Sequence, residues 1–215
     1  DKSSTKQLKT FWMVLNVVVN LSILGVYKYY DFFVSSLASA FNINAETHLL
    51  HLVLPVGISF YTFQALSYSI DVYRKKLEPT RDIVSFFAFL SFFPQLVAGP
   101  IERATNLLPQ FLKKRSFNYT KAVDGLRQIL WGMFKKVVVA DNCAFFVDTI
   151  YGNVEGYNAS TLAIAAVLFS FQIYCDFSGY SDMAIGLGKC FGFSFEENFN
   201  YPYISCSVTE FWRRW

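Results

Sequence analysis

The chain has 215 residues, of which 53% are hydrophobic, 19% aromatic and only 16% charged, with a mean hydropathy of +0.31. Ordinary soluble domains carry about 25% charged residues, so a water-soluble globule is a poor fit. A net charge of +3 is too mild for a nucleic-acid binder, and the four cysteines, Cys143, Cys175, Cys190 and Cys206, show no Cys-x-x-Cys spacing that would mark a zinc ribbon or a redox pair.

Long apolar runs alternate with short basic stretches. Each membrane span needs roughly 20 mostly apolar residues, and that rule predicts spans over about 11–33, 49–70, 122–151 and 159–177. The first ends among Tyr27, Lys28, Tyr29, Tyr30 and Asp31, a mix of aromatic and charged side chains suited to a membrane interface. The second contains Pro55 and Gly57, which a membrane helix tolerates when neighbours satisfy the freed backbone groups. Between spans, residues 71–82 carry Arg74, Lys75, Lys76 and Arg81, and residues 100–121 carry Arg103, Lys113, Lys114, Arg115 and Lys121. Residues 34–48 and 152–158 carry neither lysine nor arginine.

Cytoplasmic loops hold the basic excess. The basic amino terminus, 71–82 and 100–121 are therefore predicted inside, and 34–48 and 152–158 outside. Residues 83–99 then have cytoplasm at both ends and a proline in their middle. A re-entrant hairpin is predicted there, with Pro94 and Gln95 as a candidate cavity wall, because irregular backbone survives at membrane depth only within protein or beside water. Shorter interfacial helices are expected over about 180–192 and 207–215. Both ends of the chain read as cut, the first residue being Asp1 and the last residues stopping inside an amphipathic helix.

Ionisable side chains at membrane depth are candidates for function. Lys135, Lys136 and Asp141 qualify. Lys136 and Asp141 lie five apart and do not face each other on an ideal helix; snorkelling lysines and an aspartate capping a helix break are the plainer reading. The stretch from Tyr174 through Asp176 and Tyr180 to Asp182 either lines a polar cavity or forms a turn, with Gly179 ending one helix and Ser178 or Ser181 capping the next. The glycines at 186, 188 and 192 fit close helix packing better than nucleotide binding. His48 and His51 have no ligand set beside them, so no metal site is expected. Asn118 and Asn158 match the glycosylation sequon.

Six stretches occur in a fixed order: Leu54-Pro-Val-Gly-Ile-Ser-Phe-Tyr-Thr-Phe-Gln64, Ser69-Ile-Asp-Val-Tyr-Arg74, Phe92-Phe-Pro-Gln-Leu-Val-Ala-Gly-Pro-Ile-Glu-Arg103, Gly132-Met-Phe-Lys-Lys-Val-Val-Val-Ala-Asp141, Tyr174-Cys-Asp-Phe-Ser-Gly-Tyr-Ser-Asp-Met-Ala-Ile-Gly186, and Asn198-Phe-Asn-Tyr-Pro-Tyr203 followed by Phe211-Trp-Arg-Arg-Trp215. Together they resemble the membrane-bound O-acyltransferase (MBOAT) family, in its alginate O-acetyltransferase branch. The resemblance implies an all-α, polytopic fold, part of a ring of membrane helices with a re-entrant hairpin, and a multi-pass protein of the bacterial inner membrane. It implies transfer of an acyl group, usually acetyl, from acetyl-CoA or another acyl thioester to hydroxyls of a cell-surface polysaccharide such as alginate. No bound cofactor is implied. Membrane lipid and periplasmic or extracellular polysaccharide-modifying proteins are the implied partners, and nucleic acid is not among them.

The family's histidines would follow Trp215, one of them directly, so no catalytic residue is expected within this chain and the piece alone is expected to be inactive. Such a histidine would act as general base on the acceptor hydroxyl. The resemblance leaves supporting roles: Asp141 at an acidic family position; Gln95, Glu102 and Arg103 in the re-entrant motif; Tyr174, Asp176 and Tyr180 along the funnel; Arg213 and Arg214 beside an anionic donor. D-alanyl transfer to teichoic acid by a sister branch, and solute transport, are the competing readings.

Overall fold

The computed structural model describes residues 2–41, 43–44, 49–96, 99 and 102–215, with side chains from residue 7 onward. His48 lies outside the described residues. Every regular element among them is helical, and they form two compact units, residues 1–97 with 101–113 and residues 98–100 with 114–215.

The first unit begins with α1 (Lys2–Ala40), a helix roughly 60 Å long at 1.5 Å per residue. A helix on a soluble core buries one stripe. Here Phe11, Trp12, Val18, Ile23, Phe32 and Phe33 stand exposed on all sides, and among the helix's described side chains Leu24 is the buried one. Such a surface suits hydrocarbon. The predicted span 11–33 therefore lies inside a longer helix, which also takes in much of the basic amino terminus and part of the predicted outer loop. Antiparallel to α1 runs α2 (Ile58–Tyr73), tied to it by Ser69 Oγ donating to Asn16 Oδ1 at 3.0 Å, a 2.9 Å hydroxyl contact of Thr10 and Tyr73, and Lys28 Nζ donating to Ser59 Oγ at 3.3 Å.

The predicted helix over 49–70 needs correction. Residues 49–57 are not helical, and Asp31 holds them by accepting the backbone N–H groups of Leu50 and His51 at 2.9 and 3.0 Å. Pro55 disfavours helical backbone before it, and Gly57 sits in the left-handed region at φ 78°. A β-carbon there would also meet Leu96 O at 2.7 Å, so the glycine serves both the turn and a close approach.

Asp82 caps α3 (Ile83–Leu90), accepting Val84 N at 3.0 Å and Ser85 Oγ at 2.5 Å. The helix spans roughly 12 Å, far less than a bilayer core of about 30 Å. It stops at Ser91, a 3-10 turn (Phe93–Gln95) follows, and α4 (Ala104–Leu112) packs against α3. Phe89, Ala104, Leu107 and Leu108 form the buried centre of this unit, with Ile58 and Leu66 from α2.

The second unit is built on one long helical hairpin. Residues 119–151 form a continuous run: α5 (Tyr119–Met133), a π-helical segment (Phe134–Ala140) and α6 (Asp141–Tyr151). The return helix is α7 (Ala159–Cys190), about 48 Å long. Asn118 and Asn158, the two sequon asparagines, are the N-caps of α5 and α7, accepting Lys121 N and Thr161 N.

Two glycine pairs set the crossing. Gly132 faces Gly179, and Gly125 faces Gly186, seven residues apart on each antiparallel helix. A β-carbon at Gly132 would lie 2.5 Å from Gly179 O, and one at Gly179 would lie 2.7 Å from Gly132 O. Small residues let membrane helices approach backbone to backbone. This also corrects the expectation of a separate helix over 180–192: those residues, through Cys190, are the tail of α7, which does not break at Gly179. The glycine is there for the neighbouring helix and not to end its own.

Last comes α8 (Val208–Arg214), capped by Ser207, whose Oγ accepts Glu210 N at 3.1 Å, while Glu210 accepts Cys206 N at 2.9 Å. Trp215 then docks on α7, its ring centroid 6.3 Å from Tyr174 and 6.5 Å from Phe177, with Phe199 at 5.1 Å.

Candidate functional site: a lysine-centred cavity in the second unit

The π segment decides where charge goes. In an α-helix residues five apart diverge; the wider i→i+5 turn brings them together. Lys136 and Asp141 therefore do meet, with Nζ 2.8 Å from Asp141 Oδ1, and the expectation that they would not is corrected. Lys136 also reaches Asp176 of α7 at 2.9 Å. Asp141 continues the helix into α6 and does not cap a break.

Lys135 points elsewhere. It forms an ion pair with Asp182 and donates to Ser178 Oγ at 3.1 Å. Asp182 also accepts Gln128 Nε2 at 3.0 Å. The side chains of Lys135 and Asp182 are only 13% and 21% exposed, against 31% for Lys136 and 50% and 49% for Asp141 and Asp176. A charge at membrane depth is costly when alone. Each of these lysines is answered by a carboxylate of α7, Lys135 by Asp182 and Lys136 by Asp176.

Beside Lys135 opens a cavity of about 600 Å³, lined by Gln128, Lys135, Tyr174, Ser178, Ser181 and Asp182, with residues 197–201 along its far wall. Asn198 donates to Ser181 Oγ at 3.3 Å. The cavity combines an ion pair, hydroxyls, amides and aromatic faces. Such a lining can hold a polar substrate, place a hydroxyl and steady a developing negative charge beside an ammonium group.

The residues proposed from sequence fall into both units. Tyr174 lines this cavity, Asp176 holds Lys136, and Tyr180 lies half-buried on the same helix. Of the stretch 174–182, the cavity reading survives and the turn reading does not. In α8, Arg214 is held by Glu210 at 2.8 Å and donates to Asn200 O at 3.3 Å, whereas Arg213 is exposed and has no ion pair among the described residues. The hydrogen bond from Cys206 N, and next the Arg214 guanidinium, keep the Glu210 carboxyl below its ordinary value.

In the first unit, Gln95 is 1% exposed and donates Nε2 to Phe89 O at 3.2 Å. Glu102 and Arg103 border a second cavity with Gln64, Asp71, Arg74 and Lys76. Gln64 and Asp71 were not singled out from sequence, although both sit inside the quoted motifs. Nor were Lys135's partners Asp182 and Gln128 matched to it. One signal was available: two carboxylates on one helix facing two adjacent lysines on another.

Two helices, Gln7–Ala40 in the first unit and Ala159–Cys190 in the second, are long and apolar enough to cross a bilayer, which fits a helical membrane protein. Residues 79–215 match the MBOAT, membrane-bound O-acyltransferase family, and the chain belongs to that family. It is 45% identical over 207 residues to the probable alginate O-acetylase AlgI of Pseudomonas aeruginosa, covering 95% of this chain and 39% of that protein. It is 38% identical to the peptidoglycan O-acetyltransferase of Helicobacter pylori, over 96% of this chain and 44% of the relative. The teichoic acid D-alanyltransferase of Bacillus subtilis is 27% identical over 77% of this chain and 42% of the relative. The chain thus spans about two fifths of the length of these relatives.

Proposed function

We propose that this chain is part of an enzyme that transfers an acyl group, acetyl in the first instance, to hydroxyls of a cell-surface polysaccharide. The observation that carries the reading is the likeness over 95% of the chain to an alginate O-acetylase, joined by a likeness to a peptidoglycan O-acetyltransferase. Both relatives are named for placing acetyl on oxygen of a glycan. The lysine-centred cavity of the second unit supports it: a hydroxyl acceptor and an ester-forming transition state both need donors fixed in a site that excludes bulk water.

The protein sits as a multi-pass component of the bacterial inner membrane, with residues 83–95 as part of a re-entrant element. Its donor is acetyl-CoA or another acyl thioester, and Arg213, with no ion pair among the described residues, is the side chain offered to the donor's phosphates. Periplasmic or extracellular polysaccharide-modifying proteins act beside it. Asp141 acts through Lys136, holding the ammonium group between α6 and α7. With Asp141→Ala in the full-length protein, polysaccharide acetylation should fall while the amount of protein in the membrane stays normal. Normal acetylation at normal protein level would refute the role.

D-alanyl transfer is the second reading, favoured by the likeness to the Bacillus enzyme. Phe211-Trp-Arg-Arg-Trp215 favours the acetyl branch, because the D-alanyl branch usually differs before the second arginine-tryptophan pair.

A further inference from the structure

The cavity of the first unit is built differently from the one assigned to catalysis. It encloses about 470 Å³ between α2 and the start of α4. Its floor is rich in acceptors. Gln64 is 2% exposed, and its Oε1 has no hydrogen-bond partner among the described residues. Asp71 is 7% exposed and has no ion pair among the described residues. Glu102, equally buried, accepts Asn106 Nδ2 at 2.6 Å. Its rim is cationic: Arg74, Lys76 and Arg103 are exposed and likewise without an ion pair among the described residues.

Asp71 shares this small cavity with Arg74, Lys76 and Arg103 and forms no ion pair with them among the described residues. The acceptors lie deep and the cations shallow. Buried acceptors left unmade are expensive, so the floor calls for N–H donors. A primary ammonium group brings three such donors and a positive charge. The rim calls for an anion, and arginine forks match phosphate oxygens. A ligand that answers both is a dipole with its ammonium inward and its phosphate outward.

We propose that this cavity binds a phosphoethanolamine zwitterion, its primary ammonium against Gln64 and Asp71 and its phosphate against Arg74, Lys76 and Arg103. A phospholipid headgroup and a soluble phosphoamine share this chemistry. On the topology expected from the loop charges, the basic stretch 71–82 and with it the rim face the cytoplasm, where either is within reach. The inference stands apart from the transferase reading, because it uses neither the second unit nor any reacting group.

The test is native mass spectrometry of the detergent-solubilised protein, titrated in turn with phosphatidylethanolamine, phosphatidylcholine and phosphatidylglycerol of identical tails. Phosphatidylethanolamine should be retained about tenfold more tightly than the other two, since a trimethylammonium group has no N–H and a glycerol headgroup no positive charge. Asp71→Asn should erase that preference. Arg103→Gln, an exposed change that leaves the fold alone, should weaken phosphatidylethanolamine and phosphatidylcholine alike. Competition by O-phosphoethanolamine separates the sources: displacement identifies the free phosphoamine as sufficient, and its failure assigns the site to the lipid. Equal retention of the three lipids would overturn the proposal. So would tighter binding of phosphatidylglycerol, or a preference that survives Asp71→Asn and a retention that ignores Arg103→Gln.

Discussion

The two cavities hold similar side chains in opposite states. In the second unit the two lysines of the π segment have their counterparts: the largely buried Lys135 pairs with Asp182, and the more exposed Lys136 with Asp141 and Asp176. In the first, Asp71 and Arg74 border the same space without an ion pair among the described residues. A self-neutralised site is held ready by its own side chains and can do chemistry on a neutral acceptor. A site with segregated charges is completed by something that enters it. The same membrane cost produces both, since a lone charge must be paired by the protein or by a ligand.

Mutations that break the first arrangement should behave unlike those that touch the second. The largest effect belongs to the crossing that brings the lysines to α7. Gly132→Leu would drive a side chain into Gly179 O, and a loss of about 3 kcal/mol or more is expected, read as a collapse of thermal stability in detergent. Lys135→Met comes next. It strands Asp182 at 21% side-chain exposure, and about 2–3 kcal/mol of destabilisation is expected, less than for a fully buried pair. Lys136→Met should cost less, about 1 kcal/mol, because its pairs are a third to a half exposed. A double-mutant cycle with Asp176 isolates that coupling; additivity there would contradict it.

Asp71→Asn should run the other way. With the cavity free of ligand it removes an unanswered carboxylate, and stability should hold or rise by about 1 kcal/mol. A Lys135-sized loss would mean that Asp71 is paired after all.

The smallest effect is at the surface. Hydrogen bonds from Ser85, side chain first and backbone next, hold the Asp82 carboxyl below its ordinary value. A carboxylate with a depressed folded value stabilises the fold fully above the unfolded value of about 3.9, and that contribution is lost as pH falls through the lower, folded one. Amide exchange in α3 should therefore quicken only in strongly acidic solution, and Asp82→Asn should flatten that dependence.

Much of this was legible in the sequence, and its limits have physical causes. Apolar runs marked the long helices because bilayer thickness dictates their length. The charge map isolated residues 83–99, and the helix there does stop, at Ser91. Pairing within the helices was not legible. Whether residues 134–140 wind as α or π depends on what α7 offers, and only the π turn joins Lys136 to Asp141. Gly179 reads as a terminator by local rules, yet it lies inside a 32-residue helix because Gly132 needs its room. Pro55 and Gly57 read as tolerated within a span, and they instead delay α2 to Ile58. Gln64 and Asp71 carry no periodic signal. They stand out only once α2 and α4 enclose them.

The central claim is acyl transfer to polysaccharide oxygen, and ester analysis tests it most directly. The gene encoding this chain is deleted, and alkali-released acetate and D-alanine are quantified from the purified surface polysaccharides. Loss of acetate, restored by the intact gene and not by the Asp141→Ala variant, is the expected result. Unchanged acetate, or a selective loss of D-alanine, would contradict the account.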